Sequence, residues 1–423
     1  MFFYLLLLHC KKSSGGLYYV KQVKIKLKQQ EFEIMQSVRL GIIGVNGRGR
    51  LWRFWHKPEE GVTVAAGADI SPLELEKFKE RCNKEAFVTT DYKEMIARED
   101  LDGIVVATPD WLHADMVVNA LEAGKFVYCE KPLATTIEDA DRIIESSNRH
   151  PGKLMVGFNM RYMPFVKQMK EIADSGEIGE IKAVWVRHFV GMGSIYYYHD
   201  WHAAKRNTGS LLLQKGSHDI DVVHFVTGHN TVRVAAFGSL DFFGGNRENT
   251  LECTKCPEKE SCIDSQVPVL DMDGKPARRF CAFRQEVDVP DNYTCLFELD
   301  NGIKVSYNEC HFTPDYHRNY TFIGTKGRLE NSEIDGTIKV WHRKNGRNDQ
   351  PDRTIDLKII EQKEAEVGHG GADPLICAEF VRMIRGEIKA PVPPEAGRNA
   401  VIAGLAAQYS LEHGGVVVTV DPS

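Results

Sequence analysis

The chain has no long apolar run. The one candidate, Met1-Phe2-Phe3-Tyr4-Leu5-Leu6-Leu7-Leu8, falls far short of the roughly 20 residues a helix needs to cross a bilayer. It has no basic start and no small-residue cleavage site, so it does not read as a secretory signal. In Leu8-His9-Cys10, His9 stands where a lipidation site would carry a small residue. Residues 1–35, with a lysine-rich stretch from Lys21 to Lys28, are therefore expected to be a dispensable extension. A membrane anchor is the alternative reading. A long basic run is also missing, and the net charge is −6, which argues against nucleic acid as a partner. Ten cysteines in 423 residues are too sparse for a disulfide scaffold. Cys129, Cys295, Cys310 and Cys377 lie singly in apolar stretches and read as buried thiols of a reducing, cytoplasmic compartment. Internal repeats and low-complexity linkers are lacking, so the two or three domains that this length allows should be tightly joined.

Against these absences stands Val38-Arg39-Leu40-Gly41-Ile42-Ile43-Gly44-Val45-Asn46-Gly47-Arg48-Gly49-Arg50. An apolar, β-branched run leads into glycines at 41, 44 and 47, which reads as a buried strand, a tight turn and a helix start. Free N–H groups at such a start suit a pyrophosphate. A second apolar strand, Val62–Ala68, ends in Asp69, 25 residues after Gly44. A carboxylate there accepts hydrogen bonds from ribose hydroxyls and repels a 2′-phosphate, so NAD is expected rather than NADP. Arg48 and Arg50 stand ready to soften that preference.

Strands and helices then alternate. A helix is expected over 72–82 with Ser71 as its cap, a strand at 87–90, a short helix over 92–98, a strand at 101–109 and a helix over 113–123. A strand at 125–129 ends in Glu130-Lys131-Pro132, and a helix over 137–149 precedes a strand at 154–158. Continuous apolar strands between helices indicate a parallel sheet covered on both faces, with its ligand beyond the strand C-termini. That edge carries the glycine turn, Thr108-Pro109 and Glu130-Lys131-Pro132.

The segments Ala107-Thr108-Pro109-Asp110-Trp111-Leu112-His113 and Ala120–Pro132, ending in Glu-Lys-Pro, resemble those of the Gfo/Idh/MocA oxidoreductases, relatives of glucose–fructose oxidoreductase and inositol dehydrogenase. The resemblance is close from Val38 to about Gly157 and looser beyond. It implies an α/β protein: a Rossmann NAD-binding domain over 36–157, then a substrate and oligomerisation domain over 158–423 with an open, mostly antiparallel mixed sheet. The sequence agrees, with strands expected at 181–189, 293–299, 303–309, 318–324 and 416–420, and with helices over 164–174, 374–385 and 395–413. It further implies a homo-oligomer, dimer or tetramer, and cofactor contacts from Gly41, Gly44, Asn46, Gly47, Arg48, Asp69, Thr108, Pro109, His113, Glu130 and Lys131.

Hydride transfer from a secondary alcohol needs a proton acceptor and a donor that holds the alkoxide. Lys131, between a buried strand and a proline, suits the second task. Asn207–Asp221 resembles the family segment Gly-Gly-x-Leu-x-Asp-x-Gly-x-His-x-x-Asp, which makes His218 the expected proton acceptor and Asp221 its trailing acid. Gln214 is a departure, because it stands where the family carries an aspartate and an amide cannot relay a proton. Lys215 next door is a substitute only if two adjacent residues can face one site. Further substrate candidates are Arg161, Tyr162, Trp201, His202, Lys205, Asn207 and His369.

The remaining cysteines form a cluster, Cys253-x2-Cys256-x5-Cys262, with Cys281 further on, inside a polar insertion of about residues 250–285. Four thiolates would suit a structural zinc that staples a small subdomain; unlinked thiols or disulfides are the alternative. The function expected is NAD-dependent oxidation of a secondary alcohol on a sugar, inositol or glycoside. One rival is a redox-cycling lyase or glycoside-cleaving enzyme, in which transient oxidation acidifies a neighbouring C–H. The other is a non-catalytic NAD-binding sensor.

Overall fold

A computed structural model describes residues 37–191, 193–265, 279–357 and 369–422. The amino-terminal extension lies outside them. The first sheet has strands β1 (Val38–Ile43), β2 (Val62–Ala68), β3 (Phe87–Thr89), β4 (Gly103–Val106), β5 (Phe126–Cys129) and β6 (Leu154–Val156). All pair in parallel, in the order β3-β2-β1-β4-β5-β6. Their apolar runs are buried on both faces because helices cover both. Local chemistry sets the helix starts. Ser71 accepts a hydrogen bond from the Glu74 amide with Pro72 in the first turn, and Thr136 caps Ile137–Arg149 in the same way.

The second sheet has nine strands in the order β14-β13-β12-β11-β7-β10-β9-β8-β15. They are β7 (Ile181–Phe189), β8 (Thr231–Ser239), β9 (Asn292–Leu299), β10 (Lys304–Cys310), β11 (His317–Gly324), β12 (Gly327–Ser332), β13 (Thr337–His342), β14 (Arg353–Asp356) and β15 (Val418–Thr419). Only β7–β10 pair in parallel. The α/β class, with a Rossmann sheet followed by an open mixed sheet, is thus the one expected. Burial alternates along β7 and β9. One face of the sheet packs on the helices Pro164–Asp174, Gly216–Thr227 and Pro394–Glu412, and the other is open. Among the described residues no helix is long and apolar enough to cross a membrane.

Trp55 joins the two halves. It is 1% exposed, its indole donates to the Cys377 carbonyl at 3.0 Å, and its ring packs edge-on against Tyr128 and Phe380. At the end of β1 the chain turns so tightly that a Cβ on Gly49 would lie 1.8 Å from the Gly44 carbonyl oxygen. Overpacking of this kind costs about 1–3 kcal/mol or more. Gly49→Ala is expected to lower the urea midpoint of unfolding and to weaken NAD binding together; an unchanged midpoint would contradict this account of the turn.

Candidate active site

A cavity of about 710 Å³ opens beyond the C-terminal ends of the first sheet and runs to the start of the helix Gly216–Thr227. One wall is the glycine turn. Gly44 has φ +81° and its missing Cβ would meet the Ala107 carbonyl, while nothing lies within 4 Å of the Cβ position of Gly47. The Asn46 side chain accepts from the Gly47 amide at 2.7 Å and opens a short 3-10 turn, Gly47–Leu51. Asp69 lines the same wall. Its carboxylate accepts from the Val45 amide at 3.1 Å and the Ser71 amide at 2.9 Å, which ties the ends of β1 and β2 together. Beside it Ile70 is 92% exposed, an apolar platform on the cavity rim that carries no polar atom and that sequence reasoning passed over.

Arg48 does not wait for a phosphate. Its Nε donates to Glu130 at 3.0 Å, and its two Nη atoms donate to the two oxygens of Asp373 at 3.1 Å each. Both acids are almost fully buried. The His369 ring and the Asn159 amide complete the shell of Asp373 at 2.9 Å each. Although burial opposes its charge, Asp373 is held well below the ordinary carboxylate range by His369 and Arg48. The charge that Arg48 was expected to offer a phosphate is thus shared with two carboxylates.

Lys131 enters at the end of β5, and its Nζ donates to the Gln214 carbonyl at 2.9 Å. Burial lowers its pKa to about 8, against the attraction of Asp110 and with help from the Lys215 charge. His218 stands in the same cavity with Nδ1 buried and unpartnered. Burial, then the charges of Lys131, Arg318 and Lys215, hold its pKa well below the ordinary imidazole value, so the ring is neutral at neutral pH. Gln214 and Lys215 both line the cavity. Adjacent residues of one helix would point apart, but the turn Leu211–Gln214 ends here and a new helix starts at Gly216, with Lys215 at the joint. The Lys215 ammonium lies 5.7 Å from the Tyr197 ring and 5.8 Å from Tyr316, and burial lowers its pKa to about 8. Trp201, stacked on His202 at 3.6 Å and edge-on to Trp111 at 5.3 Å, forms the aromatic wall with Tyr197. Thr108, Pro109 and His369 complete the cavity.

Several expected contacts lie elsewhere. Gly41 sits inside β1, where a Cβ would strike Leu101 and Met95, so it serves helix–strand packing. His113 is buried, and its two ring nitrogens face the Pro132 carbonyl at 2.8 Å and the Thr108 carbonyl at 3.0 Å. It fixes the two turns that line the cavity without lining it. Arg161 and Asp221 form a buried bidentate pair, 2.9 and 2.6 Å, with the guanidinium over the Phe225 ring. Tyr162 packs half-buried against the core beneath Lys167. Lys205 pairs with Glu412 at 3.0 Å, and Asn207 donates to the Trp201 carbonyl at 2.8 Å, holding the wall from behind. Residues that reach the cavity beyond the expected set include Thr90, Tyr92, Asp110, Trp111, Asn159 and Tyr197, and His202 and Lys215 reach it as well.

Cys253, Cys256, Cys262 and Cys281 converge on a second, small cavity, and none is in a disulfide. Among the described residues, however, no group of three or more His, Cys, Asp or Glu side chains stands in metal-holding geometry.

The comparisons agree with this layout. The chain matches the oxidoreductase family with an NAD-binding Rossmann fold over residues 38–158 and that family's C-terminal alpha/beta domain over 170–420. It belongs to the Gfo/Idh/MocA oxidoreductase family. The Bacillus subtilis protein YteT is 29% identical over 72% of this chain and 77% of its own length. A myo-inositol 2-dehydrogenase of Thermotoga maritima is 27% identical over 89% of this chain and 96% of its own. Inositol 2-dehydrogenases of Salmonella are matched over 57% of their length. A levoglucosan dehydrogenase solved with NADH has a TM-score of 0.72 at 20% identity, covering 92% of this chain and all of that one.

The two buried lysines give the apo-protein a pH signature. Their folded pKa values, about 8, lie below the unfolded value near 10.4. Between these limits the unfolded chain binds more protons at these two lysines, so their contribution to unfolding free energy rises with pH, against the opposite contribution of buried thiols such as Cys129, Cys295 and Cys377, whose pKa values burial raises. Urea unfolding free energy between pH 7 and 10 should therefore fall more steeply, or rise less, in Lys215→Met than in the wild type; an unchanged slope in the variant would contradict the assignment.

Proposed function

We propose that the large cavity holds NAD along the strand ends and a polyol or sugar beside it, and that the chain transfers hydride between a secondary alcohol carbon and the nicotinamide. The observation that carries this reading is the meeting of Lys131, Gln214 and His218, from both halves of the chain, in one cavity with the glycine turn and Asp69. The residues present fit the cofactor. The Gly44 and Gly47 turn leaves space for a pyrophosphate, Asp69 faces the ribose region, and the Ile70 surface suits an adenine ring. NADP is disfavoured by Asp69 and by the committed charge of Arg48. Bound NAD supplies the hydride acceptor.

The neutral His218 ring accepts the hydroxyl proton. The Lys131 ammonium, anchored by one hydrogen bond to the Gln214 carbonyl, donates to the substrate oxygen and stabilises its growing charge. The Gln214 amide orients a neighbouring hydroxyl. Lys215 adds a second cation where the family aspartate would add an anion, which favours substrates that carry negative or electron-rich groups at that point. Relatives named as inositol dehydrogenases support a cyclic polyol as the substrate class. The cation pair also keeps the redox-cycling reading in play, because an unprotonated Lys215 would be a base for a carbon acidified by transient oxidation.

Incubation with NAD and a panel of inositols, sugars and glycosides, followed by nicotinamide absorbance and product mass, tests the proposal. NADH should accumulate, and Lys131→Met or His218→Ala should lower kcat/KM by about 10²–10⁴-fold. Product that requires NAD but leaves no NADH would replace the dehydrogenase by the redox-cycling reading; NAD binding with no turnover of any panel member would favour a sensor.

We also propose self-association through the open face of the nine-stranded sheet. Trp185, Phe237 and Leu296 stand 58–64% exposed there, more apolar surface than a lone sheet face leaves in water without cost. Light scattering should give a dimer or tetramer, and Trp185→Glu should shift it toward the monomer; a wild-type monomer at micromolar concentration would refute this.

A further inference from the structure

The four clustered cysteines have no part in the proposed chemistry, yet the backbone takes care to gather them. Glu252 and Phe280 form an antiparallel bridge. The Cys253 amide donates to the Arg279 carbonyl at 2.9 Å and the Cys281 amide to the Leu251 carbonyl at 2.8 Å. This pairing sets Cys253 and Cys281 on one face of the bridge, diagonally across it. Cys256 follows on the tight turn that begins at Cys253, and the Cys262 amide closes a second turn onto the Glu258 carbonyl at 2.9 Å. All four face a void of about 20 Å³, room for roughly one water-sized occupant. The void is not a plain apolar gap. His199, 1% exposed, also lines it, and its Nε2 is buried without a partner. Its Nδ1 lies 2.5 Å from the Phe280 carbonyl and 3.7 Å from the Cys253 sulfur. Asp264, on the same wall, has one carboxylate oxygen buried without a partner.

We infer that Cys253, Cys256, Cys262 and Cys281 bind one zinc ion, which staples the insertion against the wall of the active-site cavity. The metal-free geometry is not yet a coordination sphere. Binding requires loss of the thiol protons and rotation of the side chains to Zn–S distances of about 2.3 Å. Four sulfurs leave no open position, and the ion is structural.

The consequence follows from what the insertion holds. The Phe280 amide donates to the His199 carbonyl at 3.0 Å, and Arg279 pairs with Asp200 at 3.2 Å. The buried Arg284 donates to the Tyr198 carbonyl at 2.6 Å and the Asp200 carbonyl at 2.9 Å. These bonds fix the segment 194–203, which presents Tyr197, Trp201 and His202 to the large cavity. Loss of zinc should therefore loosen the substrate wall and leave the NAD wall intact.

The test uses full-length protein purified without chelator. Elemental analysis should give one zinc per chain, and titration with a mercurial that caps thiolates should release it. Cobalt substitution should show the intense thiolate-to-cobalt charge-transfer bands of a sulfur-rich tetrahedral site. Cys256→Ser with Cys262→Ser should abolish zinc binding, leave the NAD dissociation constant within twofold, and, once a substrate is in hand, raise KM more than it lowers kcat. Metal-free protein that takes up no zinc, recovery of the four cysteines as disulfides, or full zinc content in the double variant would each overturn the assignment. Metal content and cobalt spectra are read without any substrate, so they stand or fall apart from the proposed dehydrogenase activity.

Discussion

The site depends on one guanidinium. Arg48 leaves the glycine turn after β1 and is gripped by Glu130, at the end of β5, and by Asp373, at the start of the helix Ala372–Ile384. Three segments far apart in sequence are thereby locked at one point. Glu130 immediately precedes Lys131, and Asp373 is also bonded to His369 and Asn159. The positions of Lys131, the glycine turn and the loop from the second half of the chain are thus set by the same ion cluster. Desolvating three charges is costly unless every oxygen and proton is met, and here the shell is filled by His369, Asn159 and Tyr128.

A second constraint is electrostatic. Lys131, Lys215 and Arg318 crowd around His218, and their charges combine with burial to keep the imidazole neutral. The same crowding, with burial as the larger cause, brings both lysines down to about 8. Behind them Asp219 receives His188, Arg318, Tyr307 and Tyr320. That buried network anchors the helix carrying His218 to β7, β10 and β11. Asp219 thus balances the cations around His218 from behind, without itself lining the cavity.

Much of this was legible because its signals are local. The glycine turn, Asp69 at the next strand end and Glu130-Lys131-Pro132 are each defined by a few consecutive residues and by their place after an apolar strand. What could not be read is pairing across the chain. Arg161 and Asp221 carry charges near the expected site, but their partners are each other, 60 residues apart. His113 follows a cavity-lining turn, and yet its ring is buried between two backbone carbonyls. Lys215 shares the cavity with Gln214 because the helix breaks at the joint between them, a break that the sequence does not mark. Strands β8 and β12 to β14 were missed as well. β14 is a short edge strand of mostly polar residues, Arg353-Thr354-Ile355-Asp356, and its place is set by tertiary pairing rather than by an apolar pattern.

The most direct measurement of the account is NAD and NADP binding, by calorimetry, to the wild-type chain and to Arg48→Met. Wild-type protein should bind NAD at least tenfold more tightly than NADP. The variant, left with Glu130 and Asp373 buried beside an apolar side chain, should lose about 3 kcal/mol of stability and most of its NAD affinity. An Arg48→Met protein as stable as wild type with unchanged NAD affinity, or a wild-type preference for NADP, would contradict the central role given to this cluster.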